Sequence, residues 1–336
     1  MKDQKQISFI VPCRNESKYI VKTINSILSQ DMIGSDFEII IVDGISDDGT
    51  REKLKELELQ DSRIVIIDNE KKVTPVALNL GVKKAKGDYI LILGAHASIA
   101  ADYAYNCIKI LESHVDASCA GGPIISIGES NLGKAIAVAM SSTLGVGNAK
   151  HRFPNYEGFA EMACFPVYKK EVFEQIGLFD EQLVRNQDDD FSFRLRLKGG
   201  KIFISPKAKS FYVVRDSLPK LFKQYSQYGY WRVALLKKHK LPIAMRQQIP
   251  FLFFSSVILL ILLGIILQKM VVGIILPVVY FITLIIFSLK IFIFEKKYFA
   301  YWLPVVIPVL HFSYAYGFFQ GILKFSISKK QKDYKN

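Results

Sequence analysis

Residues 37–50 read FEIIIVDGISDDGT, a run of aromatic and β-branched side chains that stops on Asp43 and breaks into a turn of Gly, Ser and Asp. The run is apolar on both faces, as a strand in a helix-covered parallel sheet must be. Working outward, the same alternation continues on either side. ISFIVP (7–12) precedes KYIVKTINSILSQ (18–30), and TREKLKELEL (50–59) is followed by RIVIID (63–68), PVALNLGVKKAKG (75–87) and YILIL (89–93). Short apolar strands separated by amphipathic stretches predict an α/β domain, doubly wound and Rossmann-like, with right-handed crossovers. Ligands of such sheets bind beyond the carboxyl ends of the strands. That rule makes Asp43, ending the second run, and Gly94 to His96, ending the fourth, candidate site residues.

The pattern loosens between Ser118 and Val214, where CAGGPIISIG, a small-residue helix LGKAIAVAMSS, a Gly-rich loop, the helix KKEVFEQI and an acidic helix start at Asp188 follow one another. This stretch is expected to complete the domain and shape its acceptor side. From Ser217 to Gln248 there are seven Lys/Arg and no acid, with Tyr and Trp interleaved, a composition suited to helices at a membrane interface. Three apolar segments come next, 249–267, 271–294 and 298–323, each long enough for the ~30 Å hydrocarbon core. The third is broken by Pro304 and Pro308.

Half of the 336 residues are hydrophobic and mean hydropathy is +0.21, too apolar for a wholly soluble chain. The formal charge of +13 is confined to one end. Residues 1–216 hold 28 basic and 29 acidic side chains, whereas 217–336 hold 16 basic and 2 acidic. A nearly neutral first domain offers no basic groove, which excludes a nucleic-acid function, and the basic excess flanks the apolar segments instead. The first domain therefore belongs in the cytosol, and the positive-inside rule keeps 217–248 there too. Three spans would nevertheless leave the Lys-rich end outside, so either the third segment is re-entrant or interfacial, or the charge rule fails. Cys13, Cys107, Cys119 and Cys164 show no CxxC pair or metal spacing and read as thiols of a reducing compartment. The expected layout is a catalytic domain over 1–216, interfacial helices over 217–248, membrane segments over 249–327 and a basic tail over 328–336.

An acid followed by Ser and Gly at a strand-to-helix turn suits a nucleotide, with Asp43 accepting from base or ribose. The alternative is that Ser46, Asp47 and Asp48 cap the helix starting near Thr50. A dinucleotide-binding oxidoreductase is a poor reading, since Pro12-Cys13-Arg14-Asn15-Glu16 stands where G-x-G-x-x-G would follow the first strand.

Four ordered motifs, FIVPCRNES (9–17), IVDGISDDGT (41–50), ALNLGVKKAKGDYILIL (77–93) and IGLFDEQLVRNQDDDFSFRLRLKGG (176–200), resemble those of the inverting family-2 glycosyltransferases of GT-A fold. The resemblance covers about residues 6 to 232. With the basic aromatic stretch and the apolar end, it is nearest the succinoglycan and exopolysaccharide branch. It implies a nucleotide-sugar donor, UDP-linked, and a polyprenyl-diphosphate-linked saccharide as acceptor. Transfer to bare polyprenyl phosphate, or a degenerate binding or scaffold protein, are the alternatives. Oligomeric state is not implied.

The resemblance assigns donor binding to Pro12, Arg14, Glu16, Asp43, Ser46, Asn79 and Gly94. Where the family carries Asp-x-Asp for its metal, this chain has Gly94-Ala95-His96. His96 would then be the ligand of a divalent cation, and an imidazole favours Mn²⁺ over Mg²⁺; the alternative is a purely local hydrogen bond. Asp188 aligns with the catalytic aspartate, with Gln187 before it and Asp190 in reserve, although three acids in a first helical turn also suit the helix dipole. Gln227-Tyr-Gly-Tyr230-Trp231-Arg232 resembles the Gln-x-x-Arg-Trp element, with Tyr230 in place of the arginine. That implies an acceptor-side role for Gln227, Trp231 and Arg232, or interfacial anchoring by the aromatic rings.

Overall fold

The computed structural model describes residues 6–31, 36–240 and 245–327, so the basic tail expected over 328–336 lies outside the described residues. The elements are β1 (Gln6–Cys13), α1 (Ile20–Leu28), β2 (Asp36–Asp43), α2 (Thr50–Gln60), β3 (Ile64–Asp68), α3 (Thr74–Lys84), β4 (Tyr89–Ile92) and β5 (Ala97–Ile99). There follow α4 (Tyr103–Ser113), β6 (Ala117–Gly122), β7 (Ile124–Ile127), α5 (Asn131–Met140), α6 (Thr143–Val146), β8 (Gly158–Ala160), β9 (Cys164–Lys169), α7 (Glu171–Ile176) and α8 (Gln187–Leu197). The chain continues through β10 (Lys201–Ile204), β11 (Ser210–Val213), α9 (Leu218–His239), α10 (Ile249–Ile266), α11 (Met270–Phe294) and α12 (Leu303–Ile327).

Two compact units form, one of residues 1–125 with 150–213, the other of 126–149 with 214–336. The first is the expected α/β domain. Its main sheet runs β3-β2-β1-β4-β9-β6-β10-β8. The first four strands are parallel, and β9 is antiparallel to both β4 and β6. Alternate residues of β1 feed two cores. Ile7, Phe9 and Val11 face Ile20, Ile24 and Ile27 of α1, while Ile10 faces Ala77, Leu78 and Val82 of α3. Burial on both faces explains the unbroken apolar runs. Strand order reverses between β1 and β4, so the crevice at their carboxyl ends is the topological switch point.

The catalytic domain was expected over 1–216; the first compact unit ends at 213 and leaves residues 126–149 to the second. The cause is α5, whose buried Gly133, Ala135, Ile136 and Ala139 pack against α12 and the 3-10 turn at 298–302. Ser130 caps α5 by accepting from Gly133 N–H at 3.0 Å. The helix α9, expected at a membrane interface, is buried from Trp231 to Leu235 and runs parallel to α12, Phe222 meeting Tyr316 and Tyr230 meeting Phe325. Glycines permit this approach. A Cβ on Gly229 would stand 2.0 Å from Tyr314 O, and one on Gly317 would stand 1.9 Å from Ser226 O. By length and composition three helices are able to cross a membrane, but they differ in burial, at 6% and 11% of the apolar windows of the first two and 50% of the third.

Candidate active site

At the end of the second strand Asp43 is fully buried and pairs in register with Cys13 of β1. A buried carboxylate needs partners. Asp43 accepts from Ser46 N–H at 3.1 Å and Ser46 Oγ at 2.5 Å, from Arg51 Nη1 at 3.0 Å and from Cys13 Sγ at 3.6 Å. Arg51 also pairs with Asp68, which with Asp43 raises its pKa. Burial and then the charge of Asp43 push the Cys13 thiol far up, so it stays protonated and donates.

The turn that Asp43 anchors is strained, with Ile45 at φ 54°, a region that β-branched residues avoid and that clusters at functional sites. It is also tied to the loop after β1. Asn15 exchanges two bonds with Asp47, donating from Nδ2 to Oδ1 at 2.8 Å and accepting from Asp47 N–H at 3.1 Å, while Asn15 N–H donates to Ser46 Oγ at 2.9 Å. Of the three expected capping residues only Asp48 serves α2, accepting from Thr50 N–H at 3.1 Å. Burial alone would raise its pKa, but hydrogen bonds from Thr50 and Ser17 outweigh that and hold it at about 2. Arg14 is exposed, and its stem lies across Gly44, where an added Cβ would meet it at 3.1–3.3 Å.

Across the switch point Glu16, in the loop after β1, meets His96, in the loop after β4, with Oε1 3.1 Å from Nδ1. The His96 ring stands edge-on to Tyr212 of β11 at 5.2 Å, and Gly94 faces Phe165, whose φ is 49°. Among the described residues no three His, Cys, Asp or Glu side chains gather as a metal cage. One imidazole oriented through its second nitrogen by a carboxylate is nevertheless how metal-binding histidines are usually held. The donor set fits a cation that takes its remaining oxygens from a diphosphate and water.

The acidic segment divides by burial. Asp188 is exposed and accepts from Asp189 N–H at 2.9 Å. Asp190 is fully buried and bound to Arg194 at 2.9 Å, and Arg194 in turn donates to Ile176 O at 2.8 Å and Leu178 O at 2.7 Å. The reserve candidate thus holds α8 to the segment after α7 and is not placed to take a proton from a ligand. Gln187 Oε1 is buried without a hydrogen-bond partner. Burial, opposed by Arg152 and reinforced by the charges of Asp188 and Asp189, pushes the Cys164 thiol up to about 11.

Asn79, expected on the donor side, is buried within the fold. It is 4% exposed, its Nδ2 donates to Phe179 O at 2.9 Å and Glu181 Oε1 at 3.1 Å, and its Oδ1 accepts from Phe179 N–H at 2.9 Å. These three bonds join α3 to the segment before α8. In the second unit Trp231 and Arg232 are likewise buried, and the Trp231 ring lies against Tyr230 and Phe325, so it offers no open face for a sugar. Gln227 and Tyr230 instead line a groove between α9 and α12.

Residues 8–177 match the family model described as Glycosyl transferase family 2. The chain belongs to that family. Its relatives include a "Dolichyl N-acetyl-alpha-D-glucosaminyl phosphate 3-beta-D-2,3-diacetamido-2,3-dideoxy-beta-D-glucuronosyltransferase" of Methanococcus voltae, 31% identical over 95% of this chain and 97% of the relative. Another is the "Succinoglycan biosynthesis protein ExoA" of Rhizobium meliloti (strain 1021), 32% identical over 72% and 73%. Among solved structures, a mannosyltransferase from Pyrobaculum calidifontis in complex with GDP-Man and Mn²⁺ shares the fold at TM-score 0.62 and 13% identity, covering 96% of this chain and 88% of that one.

This family-2 glycosyltransferase therefore brings Arg14, Glu16, Asp43, Ser46, Gly94 and His96 to the carboxyl ends of β1, β2 and β4. The motifs pointed there without supplying Arg51, Asn15, Arg194 or Tyr212, which hold the site residues in place. Arg51 had a signal in being the first cation after an acid-rich turn. Arg194 had one in its i,i+4 spacing from Asp190, whereas Asn15 and Tyr212 had none, because their partners lie far away in sequence.

Proposed function

We propose that the enzyme transfers one sugar, with inversion, from a UDP-sugar to a polyprenyl-diphosphate-linked saccharide at the cytosolic face of a membrane, in the synthesis of a cell-surface glycan. The observation that carries this is the exposed Asp188 carboxylate beside the partnerless Gln187 Oε1, opposite in role to the buried Asp190. Inverting transfer needs one base that takes the acceptor hydroxyl's proton as that oxygen attacks the anomeric carbon, and Asp188 is the exposed carboxylate that the family motif offers for it. Gln187 Oε1 accepts a second acceptor hydroxyl and orients it. On the donor side the rigid Asp43–Ser46 turn and Arg14 hold the nucleotide. His96, oriented by Glu16, holds a divalent cation with Mn²⁺ preferred, and the cation when bound neutralises charge on the departing diphosphate. The lipid acceptor is supported by the name of the Methanococcus voltae relative, which acts on a dolichyl phosphate sugar, and the glycan product by that of the succinoglycan biosynthesis protein.

The anchor we infer is the α10–α11 hairpin, with α12 on the cytosolic side. Phe318, sixteenth of the 25 residues of α12, stacks at 4.9 Å on Phe251, third residue of α10, which sets the second half of α12 at the entry end of α10. His311, near the middle of α12, bonds Gly145 O at 3.1 Å, in a segment whose two ends both return to the catalytic unit. Its parallel mate α9 carries Lys220, Lys223 and Lys237, each costing about 2.5–3.5 kcal/mol at a bilayer centre. The basic tail then stays inside, and the charge rule is obeyed.

The test is nucleotide release by detergent-purified protein across UDP- and GDP-sugars with a lipid-linked acceptor extract, with and without Mn²⁺, followed by determination of the anomeric configuration of the product. Mn²⁺-dependent release of UDP with an inverted linkage supports the reading. A retained anomeric configuration, or no turnover with any donor despite nucleotide binding, contradicts it.

A further inference from the structure

The second unit contains a ring-lined cavity of about 440 Å³, within the range of small-molecule sites. Its walls include Phe222 of α9, Phe253 and Phe254 of α10, Tyr280 and Phe281 of α11 and Phe312 of α12, and no polar surface enters it. Phe222 also lines a second groove of about 290 Å³, formed with Lys223, Ser226, Gln227, Tyr230, Tyr316 and Gln320, in which polar side chains stand among the rings. The two hollows thus meet around one ring. Phe253 and Phe254 lie four and five residues after the start of α10, about 6–8 Å along its axis, so the ring-lined cavity sits just inside the membrane entry of the hairpin.

We propose that this paired groove binds the acceptor lipid: a polyprenyl chain in the ring-lined cavity, its phosphate against Lys223, and the first sugar along Ser226, Gln227, Tyr230 and Gln320. The proposal rests on the lipid-linked acceptor argued above and adds where that lipid is held. Charge complementarity supports it, because α9 carries Lys220 and Lys223 at this end and no acid anywhere along its length. Polar satisfaction supports it too. Ser226 Oγ is buried without a hydrogen-bond partner, and sugar hydroxyls both donate to and accept from groups like it. The hydroxyl and amide groups beyond Lys223 suit a glycan, whereas the cationic headgroup of an ordinary phospholipid finds no acid there. A long apolar chain ending in an anion and then a sugar matches the order ring cavity, lysine, hydroxyls and amides.

The test uses the full chain in nanodiscs and a diazirine-bearing polyprenyl phosphate, with labelled peptides mapped by mass spectrometry. Labelling is expected around Phe254 and Phe312, competed by unlabelled polyprenyl phosphate and not by the same amount of phosphatidylglycerol. Lys223→Gln should weaken binding of polyprenyl phosphate at least fivefold without changing that of polyprenol, and Lys223→Arg should retain it. Val257→Trp, which fills the cavity, should lower labelling and raise KM for the long-chain acceptor while sparing a short-chain one; nucleotide binding by the same variant checks that it folds. Labelling elsewhere, equal competition by phosphatidylglycerol, or indifference to both substitutions overturns the groove. The two readings fail separately. Wild-type protein that is labelled here but transfers no sugar sinks the transferase mechanism alone, whereas transfer to lipid acceptors with labelling elsewhere sinks the groove alone.

Discussion

Asp43 and Asp188 are both acids in motifs that point to a sugar-nucleotide enzyme, yet burial gives them opposite work. Asp43 spends its oxygens on Ser46, Arg51 and Cys13, so that in the proposed mechanism it acts on a donor through the shape of the turn that it fixes. Gly44→Ala should disturb that shape at its thinnest point. The new methyl would press on the stem of Arg14, raising KM for the donor with kcat nearly unchanged, the signature of lost uniform binding; a fall in kcat alone would place Arg14 elsewhere in the cycle. His96→Ala should abolish the response to Mn²⁺, and His96→Asp should shift the preference toward Mg²⁺, because a carboxylate is the harder ligand. Metal titrations unchanged in both variants would reduce the His96–Glu16 pair to a structural bond.

Strands and helices of the first unit were legible because each carries its own pattern. The doubly apolar runs gave the parallel strands, and Asp43 and Gly94–His96 fell at strand ends by counting alone. What stayed hidden was made by contacts distant in sequence. Asn79 sits in a motif that suggests a ligand, but its partner Phe179 lies 100 residues away, and only the fold reveals a clamp between α3 and the segment before α8. Asn79→Leu should therefore leave two buried backbone groups unpaired and destabilise the protein by about 1–3 kcal/mol, read as a lowered thermal midpoint. A normal midpoint with raised donor KM would return Asn79 to the donor site. Trp231 was hidden likewise, since its composition announces an interfacial ring and its packing against Phe325 removes it from any interface.

At the scale of the whole molecule, hydropathy finds three candidate spans and cannot tell which of them has protein on its flank. Gly229 and Gly317 decide that, by bringing the backbones of α9 and α12 together along a helix that carries lysines. A single cysteine at Gln268, between α10 and α11, should react with a membrane-impermeant maleimide from outside the cell, and one appended after Asn336 should react only in inverted vesicles. Labelling of the appended cysteine from outside would restore three spans.

The central claim is that Asp188 is the base and Asp190 the brace. The most direct measurement is initial-rate sugar transfer to the lipid-linked acceptor by Asp188→Asn and Asp190→Asn, each with its thermal midpoint. Asp188→Asn should lose about 10²–10⁴-fold in kcat with an unchanged midpoint. Asp190→Asn should lose on the order of 3 kcal/mol of stability, while its folded fraction turns over near the normal rate. The reverse pattern, with Asp188→Asn active and Asp190→Asn folded but inert, would contradict the account.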